Sequence, residues 1–578
     1  MLHEPTFDLE KASESLVKAV TCIGLLYGQA ESRLAASRKL FEKCYSSLEE
    51  YTKEDCSRFQ ETSVLQSYIL LEFYGVYVCD DTLLSKAQAI HHAVVGAIRE
   101  LQMTHDGHAS RLDSPEEPEC IPSLAANNSA TLQQRWREFI AEEERKRCIY
   151  AVYLLDSQLS IACNLRPQLS ALEIKYQLPS ADDLWAAPTA ESWDKLQKEH
   201  FRSFNEHDDR FGTDEVTPSQ GSLHGSTQDL LFNRPADPHP PALRLLWYSP
   251  FAALVLVTQL QMTARELTHA SCLLLRPKLS RNAATSDDNA SHQQQRPLSI
   301  LTEAQHGQIS QALRNIAELA PQPQHHRHPA ASSSSSSTSS NPLSFSSPLS
   351  TSATTEGNHP LWHSFWLTWR YTSLTLSHSD ALLVSGVVET NLPAAIATAG
   401  HLARPRRKRY RDRYEDRDVF RILVDLERAL VGIGRGPGCG GTSGVAVAGV
   451  PELENPFLTL LAFKISLIGW RIVRLTAMTA MADDQGVAAY DGLGRCDPSR
   501  FVLRSIMAAI GEDTGMSGDA DGGRMMDAEV RYLRWVQEAL QKRTVWPVGK
   551  WEAAIVQEAA AEAAEYAAMA RECGGGGL

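Results

Sequence analysis

Apolar side chains return every three or four residues through most of this sequence, and no stretch alternates apolar and polar residues long enough to make a half-buried strand. Leu16, Val17, Val20, Ile23 and Tyr27 form one stripe. Leu83, Leu84, Ala87, Ile90, Val94, Val95, Ile98 and Leu101 form a longer one, and Asp80 and Asp81 stand ahead of it, where carboxylates favour a helix start. Between the two, residues 64–78 are apolar nearly all round, as in a helix at the middle of a bundle. The pattern predicts an all-α, multi-helix bundle with long disordered inserts.

Residues 1–104 read as a first helical part, 105–130 as a Pro- and Asn-rich loop, and 131–204 as a long helix through Trp136, Phe139, Ile140, Ile149, Val152, Tyr153 and Leu159 with its sequel. Residues 205–240, with Pro235, Pro238, Pro240 and Pro241, read as irregular, and 241–320 as a helical continuation. A Ser- and His-rich insert at 321–358 has too little apolar surface to offset the entropy of ordering it. Helical patterns resume over 359–482, interrupted by a Gly-rich linker at 432–449; 483–525 reads as flexible and 526–578 as terminal helices.

At 578 residues and 43% hydrophobic, the chain can bury one large or two medium cores. Its net charge of −14 argues against nucleic-acid contact by the whole chain, because phosphate binding needs clustered Lys and Arg. One such cluster exists: Arg404, Arg406, Arg407, Lys408, Arg409, Arg411 and Arg413 fall within ten residues. Nuclear import explains that run better than DNA reading, which needs a docked element behind the charges; a solvated loop neutralised by Glu415 to Asp418 is the plain alternative. The eleven cysteines are scattered singly with no C-x-x-C pair, so no zinc finger or ribbon can be drawn, and the expectation is free thiols in a reducing compartment. The apolar run 251–257 is far short of the roughly 20 residues a bilayer needs. Residues 457–481 carry Lys464, Arg471 and Arg474 at spacings that put them on one helical face, which reads as an amphipathic helix with a wet side and no membrane span.

Residues that could carry chemistry have ordinary explanations. Gly436 to Gly441 fits G-x-G-x-x-G but follows a helical pattern instead of a strand. Asp80 and Asp81 lack the third carboxylate of a magnesium-binding helix and read as caps. His325, His326 and His328 sit in a tract with no fixed geometry. His91 lies on an apolar face between Ala87 and Val95 and reads as a core residue, although its pKa range suits ligand sensing. With no nucleophile elbow and no Cys–His–acid set, the expectation is a non-enzyme with no catalytic, metal or cofactor residues. The densest cluster is Glu143-Glu144-Arg145-Lys146-Arg147, where Glu143 and Arg147 can pair at i, i+4, followed by Asp156 beside Val152 and Tyr153. A buried acid there requires a base or backbone donor, and Arg147 and Arg166 are the candidate bases.

The order of these parts resembles the fungal-specific transcription factor regulatory domain, in the form found behind zinc-finger modules. The resemblance rests on His3, Pro5, Thr6 and Phe7 at the entry, Glu143, Arg145 and Arg147, Asp156 after Tyr153, the turn Asn164-Leu-Arg166-Pro167, then Leu178-Pro179, Trp185 and Trp193. Leu70 to Gly75 and the 87–99 helix are also similar, so the likeness covers roughly residues 1–200. It implies an all-helical nuclear regulator of RNA polymerase II transcription, contacting co-regulators or itself, with DNA bound only through a zinc-dependent module that this chain lacks. Asn164 stands where Gly is common. A small-molecule effector is unknown, and a helical ligand-binding or scaffold protein without a DNA role, or less readily an all-helical enzyme, is the other class that fits the pattern.

Overall fold

The computed structural model describes residues 1–28, 31–104, 129–205, 221–233, 241–274, 300–321, 359–404, 416–435, 453–485, 498–512 and 522–574. These are helical almost throughout, with no named strand among the described residues. The helices are α1 (Glu14–Gly24), α2 (Glu31–Glu54), α3 (Thr62–Tyr77), α4 (Asp81–Glu100), α5 (Ser129–Cys163), α6 (Asp182–Trp185), α7 (Ala190–Asn205), α8 (Leu223–Phe232), α9 (Pro241–Arg244) and α10 (Pro250–Leu274). They continue as α11 (Glu303–Leu319), α12 (Pro360–Ser377), α13 (Ala381–Ser385), α14 (Leu392–Ala403), α15 (Asp416–Gly434), α16 (Pro456–Gln485), α17 (Pro498–Ala509), α18 (Gly522–Gln541) and α19 (Pro547–Gly574).

Short polar side chains start the helices where orphan N–H groups need acceptors. Asp80 caps α4 by accepting from the Thr82 and Leu83 amides, as its position ahead of the stripe predicts. Thr302 and Gln305 close a capping box on α11, and Asp380 and Asn391 cap α13 and α14. Helix α3 is buried on nearly every side and packs on α1, α4 and α5. One contiguous apolar core runs from α1 through α10, α12 and α16 to α19, and a small satellite core forms around Trp136, Trp185 and Trp193. The helices before and after residue 300, the two halves of the chain, therefore share one core.

Two helices form where the sequence reads as irregular chain. Ser222 caps α8 and Leu223 and Leu230 are buried from it; on α17, Val502, Leu503, Ile506 and Met507 make a buried stripe short enough to be masked by its Gly-rich surroundings. Helix α16 also departs from expectation. Its stretch Pro456–Ala477 is the one described helix long and apolar enough to cross a membrane, and most of it is buried among other helices. Arg471 is exposed, but Lys464 lies in the core and donates to Asp380 at 2.7 Å, so the three bases do not share a wet face. The Ser-rich tract, Gly436 to Gly441, His325, His326 and His328, and Arg406, Arg407, Lys408, Arg409, Arg411 and Arg413 fall outside the described residues.

Candidate functional site

Helix α5 carries the signature charges and is long enough to reach three buried polar knots. In the first, Glu143 and Arg147 pair at 2.9 Å, as their i, i+4 spacing predicts, and together they clamp the segment that follows Leu178-Pro179. Glu143 accepts from the Ser180 amide at 2.9 Å and the Ser180 hydroxyl at 3.0 Å, and Lys146 stands 3.1 Å away. Arg147 donates to the Ser180 carbonyl at 3.0 Å and to Asp182 at 2.8 Å, with its guanidinium 4.6 Å from the Trp185 ring centre. Burial alone would raise the Glu143 carboxyl; Lys146 and Arg147 outweigh it and hold the group below its ordinary value.

The entry element joins the same knot. His3 is buried, its amide donates to Glu144 at 3.2 Å, and its ring meets the edge of Trp185 at 4.8 Å and of Trp136 at 6.1 Å. Thr6 fixes that ring through Nδ1 at 2.8 Å, and Pro5 sits in the first turn of the short helix that places Thr6. Phe7 is half-buried, Pro179 is buried, and Trp193 stacks near Phe139 at 5.3 Å in the satellite core. Arg145 is exposed on the opposite side of α5 and takes no part.

The second knot corrects the expectation for Asp156. Neither Arg147 nor Arg166 reaches it: Arg147 is committed to Glu143 and Asp182, and Arg166 is exposed beside a half-buried Pro167. Asp156 instead accepts from the Gln168 and Leu169 amides, both at 2.7 Å, and from His91 Nε2 at 3.1 Å. The other His91 nitrogen faces Glu72 at 2.9 Å. Burial would lower the imidazole pKa, yet hydrogen bonds to the two carboxylates push it up to about 10, so the ring is charged at neutral pH. Desolvation raises Glu72, whose second oxygen has no hydrogen-bond partner. Sequence reasoning flagged His91 and Asp156 separately; Glu72 carried no charge signal within its apolar run.

The third knot ties the halves together. Asn164 follows α5 with φ of 59°, the left-handed region that Gly or Asn tolerates best, which explains why Gly suits this turn. Its amide donates to the carbonyls of Leu382 at 3.1 Å and Val387 at 2.8 Å, and its oxygen accepts from Arg265. Asp380 receives Lys464 at 2.7 Å and the Tyr371 hydroxyl at 2.9 Å. Burial would raise that carboxyl, but Lys464 and Arg265 hold it below its ordinary value. Among the described residues, no three His, Cys, Asp or Glu side chains converge as metal ligands. The paired charges of the three knots hold α5 to the segments around it.

Residues 1–217 match the family model described as fungal specific transcription factor domain. A nicotinate catabolism cluster-specific transcription factor of Emericella nidulans is 23% identical over 34% of this chain and 21% of its own length. Transcription factor PfmaH of Pestalotiopsis fici is 23% identical over 32% of this chain and 18% of its own length, and the zinc finger protein zas1 of Schizosaccharomyces pombe is 23% identical over 33% and 20%. The matched region thus spans only about a fifth of each relative. No solved structure matches the chain. The entry element, the clamp of Glu143 and Arg147 and the Asp156 knot all lie within the span that matches the fungal specific transcription factor domain.

Proposed function

We propose that this chain is the regulatory body of a fungal-type transcription regulator, acting in the nucleus on RNA polymerase II transcription through contacts of its helical surface with co-regulators. The observation that carries this reading is the family match over residues 1–217, in a region where the buried signature charges lock helices to one another. No catalytic role goes with it. DNA reading and its zinc belong to a separate module of the kind the zinc-finger relatives are named for, and the basic run 404–413 is the import signal.

Tethering the chain to an unrelated DNA-binding module upstream of a reporter tests the reading directly. Transcript level is expected to change when the chain is tethered, and an Arg147→Ala variant is expected to lose the effect. A reporter indifferent to the tethered, folded chain would refute the proposal. In the same cells, replacing Arg406, Arg407, Lys408 and Arg409 with Ala is expected to leave a tagged chain in the cytoplasm.

A further inference from the structure

Helix α12 is a core helix, yet one side chain in its most buried stretch is open. Trp362 and the run Ser364 to Thr368 are buried, while His363 between them is exposed. Desolvation nevertheless pulls the His363 pKa down to about 4, and repulsion from Arg370 and Arg543 adds to it. An imidazole that water can reach but that is still desolvated lies in the wall of a recess and not on a convex face.

Arg370 belongs to the same recess. It follows His363 by seven residues, so the two share one side of α12, and Arg370 turns that side toward α15. Its guanidinium is half-buried and donates once, to the Arg428 carbonyl at 3.4 Å. No carboxylate of the described residues pairs with it; Asp425, whose charge reaches it, accepts from the Ser373 hydroxyl at 2.7 Å. Burial pulls Arg370 down to about 10, with Asp425 opposing the shift and Arg428 adding to it. On the facing helix Gly432 leaves space. Beyond its own helix, a Cβ at that position would meet only Arg370 Nη1, at 3.7 Å. Arg428, one turn before Gly432, is exposed and has no ion pair among the described residues. Arg543 is spent on the Ala539 and Ile433 carbonyls.

A guanidinium drawn away from water is normally matched by an acid, because its fork of N–H donors fits the two oxygens of a carboxylate or phosphate. Here the fork stands among further bases, beside open space, and the chain supplies it no matching acid. We propose that the recess between α12 and α15 binds a small molecule bearing a carboxylate or phosphate group, gripped by Arg370, with Arg428 at the mouth and His363 in the wall. The site lies outside residues 1–217, and the inference is independent of the transcriptional reading because it concerns binding by the purified chain.

Calorimetric titration and thermal unfolding of the full chain with sodium phosphate, sodium citrate and sodium chloride at matched ionic strength test the site. Phosphate or citrate is expected to bind saturably and to raise the unfolding temperature, and chloride is not. Whichever of the two does so identifies the recognised group as phosphate or carboxylate. Arg370→Gln is expected to weaken that binding by roughly tenfold or more, as loss of a charge-assisted contact should. Gly432→Leu, which fills the open space and keeps every charge, is expected to weaken it comparably. Unfolding of each variant without added anion shows whether it folds, and if Arg370→Gln does not, Gly432→Leu decides. Three results would overturn the proposal: a wild-type chain with no saturable response to either anion, a folded variant that binds as tightly as wild type, or a response confined to a poly-aspartate peptide. The last would mark the exposed Arg421 and Arg428 as a surface for acidic chains instead.

Discussion

Asp156 on α5 and Glu552 on α19 are both carboxyls withdrawn from water, and the helices around them treat them in opposite ways. Asp156 is met by two backbone amides and a charged imidazole. Neither oxygen of Glu552 has a hydrogen-bond partner. Its nearest bases are occupied elsewhere, Arg543 by the Ala539 and Ile433 carbonyls and Lys464 by Asp380. Desolvation therefore dominates and pushes the Glu552 carboxyl well above its ordinary value, so it is buried neutral. At Asp156 buried charge is over-determined and specifies how helices meet; at Glu552 a buried acid is carried at a cost.

Removing the over-determined acid should have the largest effect. Asp156→Ala leaves two amides and one nitrogen of a protonated His91 without their common partner, and a broken buried pair of this kind costs about 4 kcal/mol. Denaturant unfolding of the variant measures it, and a loss below about 1 kcal/mol would mean that the knot contributes little net stability. The same knot gives a pH signature. Because His91 in the fold titrates near 10 against 6.5 when unfolded, the charged ring stabilises fully below pH 6.5, and that stability disappears as pH rises toward about 10. Asp156→Ala should flatten this alkaline slope.

How far sequence reaches into these two regions depends on the range of the contact. The α4 stripe, its Asp80 cap and the Glu143–Arg147 pair are local, set by helix periodicity and i, i+4 geometry, and they are legible. That Asp156 needs a partner is legible too, from its place beside Val152 and Tyr153. The identity of the partner is not, although one candidate could have been struck out: nine residues along a helix is about half a turn out of phase, so Arg147 faces away from Asp156. His91 lies 65 positions from Asp156, and Asp380 lies 84 from Lys464, separations at which only packing decides. Glu552, set in an Ala- and Glu-rich helix, looks like any solvated acid of that segment. Its burial becomes visible only when α19 is laid against α14, α16 and α18.

The opposite sign is expected at that position. Glu552→Met keeps much of the volume and removes two orphaned oxygens, so stability should rise by about 2 kcal/mol. The sign depends on pH. The folded-state value is raised, so the pH-dependent part of the cost vanishes below its ordinary 4.5, where the group is neutral in both states and only the unpaired neutral carboxyl remains. The cost grows as pH rises above 4.5, because the unfolded chain then gains by ionising. The gap between wild type and Glu552→Met should therefore be smallest in acid and widen toward neutrality. Parallel curves would show that the carboxyl is compensated after all, and the contrast with Asp156 would fail.

The smallest effect should come at Asn164, where the two regions are joined. Glycine at φ of 59° is free of the side-chain penalty that the left-handed region imposes, which alone would favour Asn164→Gly by a few tenths of a kcal/mol. Against this stands the loss of the amide bonds to Leu382 and Val387 and of the contact with Arg265, each worth roughly 1 kcal/mol or less net. The net expectation is a loss of about 1 kcal/mol for Gly, and roughly 1 kcal/mol more for Asn164→Ala, which gives up the same bonds and keeps the strained φ. The difference between the two variants isolates the backbone term, and what remains measures how strongly α5 is fastened to the α13 turn. A Gly variant as stable as wild type would show that buried core alone, without this polar tie, holds the halves in register.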